Sequence, residues 1–557
     1  MAFDGIVLNS VVHELQQNII GSKVNKVYQP TKNNVILDLY SMGKKFNLNL
    51  CIEPKNCRLN LTNHSMENPM QAPSFCMLLR KHLTSSKLIN INTFDLERIV
   101  ELEFETFDEF DDVITKKIII EIMAGHSNII LVNSSNKIID SLRHVVATRE
   151  ILPGKTYAVP ENNKNSFLLL NDFNDFCSIL QYDGSSIDKL MSDKFIGISQ
   201  SFIRHAIQDI ELPINNLPND DLEKLYNYTK EVINSIEKNS IKLVNDENDF
   251  YITIATSNNS EELSLNNFID DWYYKKESNE NLTNTKKSLL NTISVLLKKF
   301  AKRLENIDSK LNECKNMDTY RLYGELITSN LYKYNNMNLD NIKVENYYDN
   351  NSLIDIPLDK SINVNKNATR YFKKYNKLKN AFSIVSVQKK ETELELKYIE
   401  SIIYSIENSN TLSELEDIIA ELHESNILKN KKKIKTSKRT KKDNSIIEPL
   451  KYIIDGFTIL AGKNNKQNDI LSLKIANNSD IWFHVKDVQG SHVILKTENK
   501  QVDYSTLEKC AKIAVENSKA KYSSNVAVDY CEVKYVKKPS GAKPGMVIYT
   551  NYKTIFV

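Results

Sequence analysis

Seven apolar residues spaced three or four apart, Leu289, Ile293, Leu296, Phe300, Leu304, Ile307 and Leu311, draw one stripe along a helix of roughly six turns. Such a stripe has to be buried against a partner helix. The partner comes later in the chain, where a helical run around Leu394, Ile399 and Ile403 leads to a second stripe of Leu412, Leu415, Ile418 and Leu422. An irregular, Asn-rich stretch from Tyr334 to Asn367 separates the two, so the arms are expected to fold back as an antiparallel hairpin. A chain built around such arms is not one globule, and 557 residues leave room for three or four domains.

The flanks of the arms differ from them and from each other. Before residue 168 the chain alternates strand-like runs with turns: Asn34 to Tyr40, Arg98 to Glu105, Lys116 to Met123 and Asn128 to Asn133 carry Val, Ile and Leu at period two. Their short spacing predicts an antiparallel, sandwich-like sheet, with helices at Val7 to Ile20 and Ser74 to Leu83. From Phe173 to Val244 the pattern is helical. There, SSIDKLMSDKFIGISQSFIRHAI reads as helix, a tight Gly197 turn, and helix. It is either a phosphate-binding helix-hairpin-helix, with Gly197 and Ser199 at the contact, or a plain helical hairpin. The last part, 446–557, reads as a compact α/β module. The class is therefore multi-domain α+β, divided at 1–168, 169–275, 276–428, 429–445 and 446–557.

Charge and cysteine usage narrow the function. Net charge is only +2, but Lys429 to Lys442 holds nine basic residues and no acid. That block is a solvated linker or a phosphate-facing tether. The seven cysteines form no CxxC pair, so neither a disulfide framework nor a zinc knuckle is expected, and a reducing cytoplasm fits. No run of about 18 apolar residues suggests a membrane span. MAFDGIVLNSVVHEL lacks the basic-then-apolar order of a secretory signal.

One segment concentrates chemistry-bearing side chains. In DIWFHVKDVQGSHVIL, Ile481, Phe483 and Val485 fall on one strand face and Trp482, His484 and Lys486 on the other, with His492 on a return strand. A metal site needs a third convergent ligand, and none is evident. An aromatic, histidine and lysine face suits stacking on bases and pairing with phosphate, so Trp482, His484, Lys486 and His492 are candidates for an RNA-facing surface. The alternative is one face of an ordinary sheet. GFTILAGKNNKQND is not a P-loop: its glycine spacing is wrong and Asn464 replaces the magnesium-binding hydroxyl. Neither a cofactor nor a catalytic residue is expected.

Collinear segments along nearly the whole chain give it a family likeness. MAFDGIVLNSVVHEL, LERIVELEFE, EIMAGHSNIILVN, ATREILPGKTY, YRLYGELITSNLYKY, IPLDKSINVNKNATRYFKKYNKLK, GKNNKQND, DIWFHVKDVQGSHVIL and KPSGAKPGMVIYTNYKTIFV together resemble the NFACT family, formerly filed as fibronectin-binding protein A. The resemblance implies an N-terminal NFACT domain, helix-hairpin-helix, antiparallel coiled coil and C-terminal NFACT-R RNA-binding domain. It implies a ribosome-associated quality-control factor that binds a large (50S) ribosomal subunit obstructed by peptidyl-tRNA. That factor recruits aminoacyl-tRNA, alanyl in bacteria, for mRNA-independent tailing of the stalled chain. The coiled coil would reach the stalk base, with a small RNA-binding helper protein as an optional further partner. Peptide bonds would be made by the ribosome, so the chain is not expected to be an enzyme.

The family's Asp-Arg pair for tRNA engagement corresponds here to Glu97-Arg98. Its EIMG-(Lys/Arg)-HSN loop appears as EIMAGHSN, so Glu121, Met123, His126 and Asn128 carry over, whereas Ala124 stands for the usual Gly and Gly125 for the usual cation. Arg149 matches too, as a tRNA contact or as a brace for the strand end. Two competing classes remain. A surface fibronectin-binding adhesin follows from the older family name. A DNA glycosylase follows from the likeness of the N-terminal layout, but Ala2 and Phe3 stand where such an enzyme needs its proline amine and glutamate.

Overall fold

Asp4 starts the first helix by accepting the Val7 N–H (3.0 Å), which satisfies one of the helix's orphan donors. The helix, α1 (Gly5–Ile19), is apolar through its first turns and amphipathic after them, with Ile6, Leu8, Val11, Leu15 and Ile19 fully buried and Gln17 and Asn18 exposed. This computed structural model describes residues 3–108, 110, 112–147, 149–238, 241–246, 249–254, 264–334, 336–428 and 448–557. They form two compact units, Met1–Ser278 and Asn279–Val557. Ala2 and the basic segment Lys429 to Lys442 lie outside the described residues.

In the first unit, nine strands surround α1: β1 (Lys23–Thr31), β2 (Asn34–Ser41), β3 (Lys44–Cys51), β4 (Arg58–Leu61), β5 (Lys87–Thr93), β6 (Ile99–Phe107), β7 (Val113–Glu121), β8 (Asn128–Asn133) and β9 (Ile138–Ser141). They form one sheet in the order β4-β3-β2-β1-β5-β6-β7-β8-β9, every pair antiparallel. The expected sandwich is thus a single hydrogen-bonded sheet. Both of its halves feed the same core: Leu37 and Leu48 from one side, and Leu102 and Ile120 from the other, meet the cluster around α1. β6 to β8 are also buried on their second face, where Ile99, Ile119, Ile130 and Val132 pack with Ile138 and Ile151. Two-sided burial explains the consecutive apolar residues Ile118–Ile120 of β7 and Ile129–Val132 of β8, which depart from strict alternation.

Helix α2 (Ser74–Leu83) falls where the sequence places it. α3 (Phe173–Leu180), α4 (Ile187–Lys194), α5 (Gln200–Asp209) and α6 (Asn219–Glu237) follow, packed on a ring cluster of Phe167, Phe176, Phe195 and Tyr226.

α7 (Leu265–Cys314) runs 50 residues and ends in the second unit. There it pairs with α10 (Val364–Asn408), following α8 (Met317–Ser329) and α9 (Leu331–Tyr334). The pairing is antiparallel: Asp308 bridges Lys389 (2.8 Å) and Lys286 donates to the Glu407 carbonyl (3.0 Å). Leu289 and Ile293 of the predicted stripe bury against Tyr398, Ile399 and Ile402. The stretch read as irregular, Tyr334 to Asn367, instead holds an antiparallel hairpin, Asn341–Asn346 with Ser352–Pro357, packed on α8 through Ile342, Val344, Ile356 and Leu326. The second stripe is not a continuation of the arm. α10 stops at Ser409, and Thr411 caps a separate helix, α11 (Leu412–Glu424).

The C-terminal module has a six-stranded antiparallel sheet in the order Leu450–Ile454, Phe457–Ala461, Val493–Lys496, Ile481–Val485, Ala527–Glu532 and Lys553–Phe556. GKNNKQND builds the short helix α12 (Asn465–Ile470). Asn464 accepts the Gln467 N–H, and the Gln467 side chain reaches back to the Lys463 N–H, a reciprocal cap. Asn465 then reaches outward to Ser401 (3.0 Å) and to the buried Glu421 carboxylate (3.2 Å), which also accepts the Tyr398 hydroxyl (2.8 Å). Burial raises the Glu421 carboxyl pKa. Gln489 to Glu400 (2.6 Å), Lys463 to Glu414 (3.1 Å) and Lys466 to Glu424 (2.8 Å) complete the seam. The longest helix of the module, α13 (Tyr504–Glu516), covers the sheet face carrying Phe483, Val485 and Val528.

Candidate nucleic-acid interface

Glu97 and Arg98 sit in the turn between β5 and β6. The Arg98 carbonyl accepts the Ile122 N–H (2.8 Å), which ties this turn to the EIMAGHSN loop leaving β7. Both side chains are half-buried. Glu97 accepts the Asn162 amide. Burial pushes the Asp4 carboxyl pKa up, opposed by the Ser199 hydroxyl, the Val7 N–H and the Arg98 charge.

The loop next to this turn divides into exposed and internal parts. His126 is exposed and Met123 half-buried, its N–H held by the Ser127 hydroxyl (2.8 Å). Glu121 is not available to a ligand. It is buried, with its carboxylate gripped by both terminal nitrogens of Arg149 and by the Tyr157 hydroxyl (2.9 Å). Arg149 also donates to the Ala158 carbonyl (2.8 Å), which makes it the brace rather than a free contact. Asn128 is likewise internal. Its amide donates to the Arg143 carbonyl (2.8 Å), and its oxygen accepts the Arg143 N–H (3.0 Å) and its own neighbour's N–H (2.9 Å). Arg143, absent from the sequence reading, props this region by donating to the Gly125 and Ser127 carbonyls (3.1 and 3.2 Å) and to Asn33 and the Ile52 carbonyl (3.0 and 3.1 Å). No local pattern marks it, because two of its partners, Asn33 and Ile52, lie 110 and 91 residues away and the others lie across a turn of the sheet. Ala124 has φ +50°, a left-handed conformation that glycine adopts freely. The surface a ligand can reach here is thus Glu97, Arg98 and His126, on a frame of Glu121, Asn128, Arg143 and Arg149.

The Gly197 turn does not offer itself to phosphate. Gly197 (φ +71°) lies against α1: its carbonyl accepts the Gly5 N–H (3.0 Å), and a Cβ built on it would stand 2.1 Å from the Leu96 carbonyl oxygen. Ser199 spends its hydroxyl on capping α5 through the Phe202 N–H (3.0 Å) and on donating to Asp4 (2.6 Å). Both expected phosphate contacts are therefore packing devices joining α5 to α1.

In the C-terminal module the alternation of Ile481 to Val485 is as read, but the second face is not open at this point. Trp482 and His492 are buried, 1% and 2% exposed, beneath residues 471–476 and 533–549. Burial pushes the His492 imidazole down to about 3, and its Nδ1 lies 2.8 Å from the Ser472 hydroxyl. His484 is half-buried and stacked beside Trp482, with its pKa lowered by burial. Of the four residues expected to face RNA, only Lys486 is exposed. The sequence could not show this, because much of the cover, residues 533–549, comes from a later part of the chain. Among the described residues no group of His, Cys, Asp and Glu is placed to hold a metal ion, and no helix is long and apolar enough to cross a membrane.

These features describe a multi-domain α+β chain whose two units are a helix-filled antiparallel sheet and a helical arm with a small sheet module seated on it. Residues 4–441 match the model of the NFACT N-terminal and middle domains, and 452–551 that of the NFACT protein RNA binding domain. The chain belongs to the NFACT family. It is 34% identical over its full length to a Bacillus subtilis protein named "Rqc2 homolog RqcH", covering 98% of that protein. A quarter of the chain (25%) is 29% identical to 12% of the human "Ribosome quality control complex subunit NEMF". A solved structure of the C-terminal part of a Streptococcus suis fibronectin/fibrinogen-binding protein aligns with 50% of this chain and 94% of its own, at 30% identity and a TM-score of 0.39.

Proposed function

We propose that this chain is a ribosome-associated quality-control factor. It binds a large ribosomal subunit still carrying peptidyl-tRNA and recruits aminoacyl-tRNA, alanyl-tRNA first among candidates, for mRNA-independent tailing of the stalled chain. The observation that carries this reading is the end-to-end match to a relative named as an Rqc2 homologue. The accessible geometry is consistent with it, since Arg98 and His126 are carried on a turn and a loop joined by a backbone hydrogen bond, beside a buried hydrogen-bonded frame. Peptide-bond formation belongs to the ribosome, and the chain contributes position rather than reacting groups. The expected setting is cytoplasmic.

The test is co-sedimentation of the purified chain with large subunits across a salt series, with sequencing of the retained tRNA. Wild type is expected to sediment with the particles at low salt and to enrich a narrow set of tRNAs. Arg98→Ala is expected to lose the tRNA and abolish tagging of stalled peptides. Undiminished tagging by that variant would remove Arg98 from the site. Quantitative recovery of the protein on the outer cell surface would favour adhesion instead.

A further inference from the structure

The open half of the C-terminal sheet presents a different set of side chains from the one expected. His484 lies opposite Asp529, Asp529 opposite Thr554, and Ala527 opposite Phe556, so these positions share one face, the face of Trp482. At the Trp482 end that face is roofed. Along its margin it is bare: Tyr552, 46% exposed, lies level with the Trp482 row at the sheet edge, while Phe556, 62% exposed, and the exposed Lys486 lie at the other end. The Lys486 ammonium stands 5.8 Å from the centre of the Tyr552 ring. Tyr552 meets Tyr549 edge to face at 5.2 Å, and Tyr549 lies 4.8 Å from the buried Trp482. An exposed ring is thereby braced from behind by a half-buried one, Tyr549, and a buried one, Trp482.

We propose that Lys486, Tyr552 and Phe556 form a ledge for a single-stranded RNA segment, with unpaired bases stacked on the two rings and a phosphate at the ammonium. The inference rests on the RNA-handling reading above and supplies the surface for it. Exposed aromatic faces gain most from bases whose own faces are free, and a duplex hides those faces in its stack. Four residues along a strand set the two rings roughly 13 Å apart, so each can take its own base along one extended strand. The strand Lys553–Phe556 is the edge of the sheet, which leaves the approach open on that side. The cation selects a polyanion over an apolar protein surface. Tyr552 and Phe556 lie just beyond the matched RNA-binding segment, which ends at 551, so that match does not assign them.

The test uses the full chain and a short oligouridine carrying photoreactive thiouridine, with a hairpin RNA of the same length as the duplex control. Cross-links within the C-terminal module are expected at Tyr552 and Phe556, and only with the single strand. Tyr552→Ala and Phe556→Ala should each cut those cross-links about five- to tenfold, Tyr552→Phe should retain them because the ring survives, and Tyr504→Ala, on the opposite face, should change nothing. Lys486→Ala should lower the salt dependence of binding by about one phosphate contact. The ledge is overturned if the module cross-links elsewhere, if the hairpin RNA cross-links equally, or if both alanine variants cross-link as the parent does. Large-subunit sedimentation of the same variants separates the two claims. A parent that cross-links at the ledge but does not sediment sinks the ribosomal reading alone, and a parent that sediments without ledge cross-links sinks the ledge alone.

Discussion

Gly197→Ala separates packing from phosphate binding at the turn between α4 and α5. A methyl at this position would stand 2.1 Å from the Leu96 carbonyl oxygen and 2.6 Å from the Leu96 Cβ, at φ +71°. The left-handed backbone costs an L-residue about 1–2 kcal/mol. Forcing the chain apart to admit the methyl costs about 1–3 kcal/mol more. The total, roughly 2–5 kcal/mol, falls on the contact between α5 and α1, where Gly5 is equally tight: its own Cβ would meet Leu96 O at 2.1 Å. Because a chain of two units need not unfold in one step, the assay is hydrogen exchange of the α1 and α5 amides in the full protein. Exchange there should accelerate by about thirtyfold or more, with the α7–α10 arm unchanged. Below the temperature of local opening, tRNA affinity should match the parent. If the variant instead exchanges normally and binds RNA weakly, the turn touches phosphate and the packing account is wrong.

Further expectations follow from the same site. Arg149→Ala leaves the buried Glu121 carboxylate without its cation and should destabilise the first unit by about 3–5 kcal/mol, whereas adding Glu121→Gln should recover a large part of that loss; equal melting of the single and double variants would refute the brace. Ala124→Gly relieves a left-handed alanine worth about 1–2 kcal/mol but frees the unfolded chain by about 0.4–1 kcal/mol, so melting should hold or rise slightly, and a clear fall would contradict the assigned backbone. His492 binds its proton far less well folded than unfolded, so between pH 6.5 and about 3 the unfolded state holds more protons and stability is lost as pH falls, by about 1.4 kcal/mol per unit from this group. His492→Gln should flatten that part of the stability–pH profile of the C-terminal module; an unchanged slope would remove the histidine as its cause.

Elements governed by local pattern were legible in the sequence. α2 and β8 begin and end where periodicity places them, and the Leu289 stripe finds its antiparallel partner. Properties set by distant chain were not. Two-sided burial of Ile481–Val485 depends on residues 533–549, so a strand with Trp and His on one face looked like a recognition surface. Gly197 carries the signature of a phosphate turn, but the same glycine is needed where two backbones touch, and only the position of Leu96 distinguishes the cases. Asn128 and Glu121 look like polar readers in the loop because their partners, Arg143 and Arg149, come later in the chain. Tyr552 and Phe556 carried a usable signal, since both alternate with Thr554 on one strand face beside an exposed lysine.

The seam of Asn465, Glu421, Lys463 and Gln489 has a mechanical consequence. Covalent connection through 429–447 is not the sole attachment of the sheet module, because a buried carboxylate and two ion pairs fasten it to the base of the helical arm. Arm and module are thereby joined by side chains as well as by the covalent chain, so Asn465→Ala or Glu421→Ala would loosen the module from the arm without touching the Tyr552 edge.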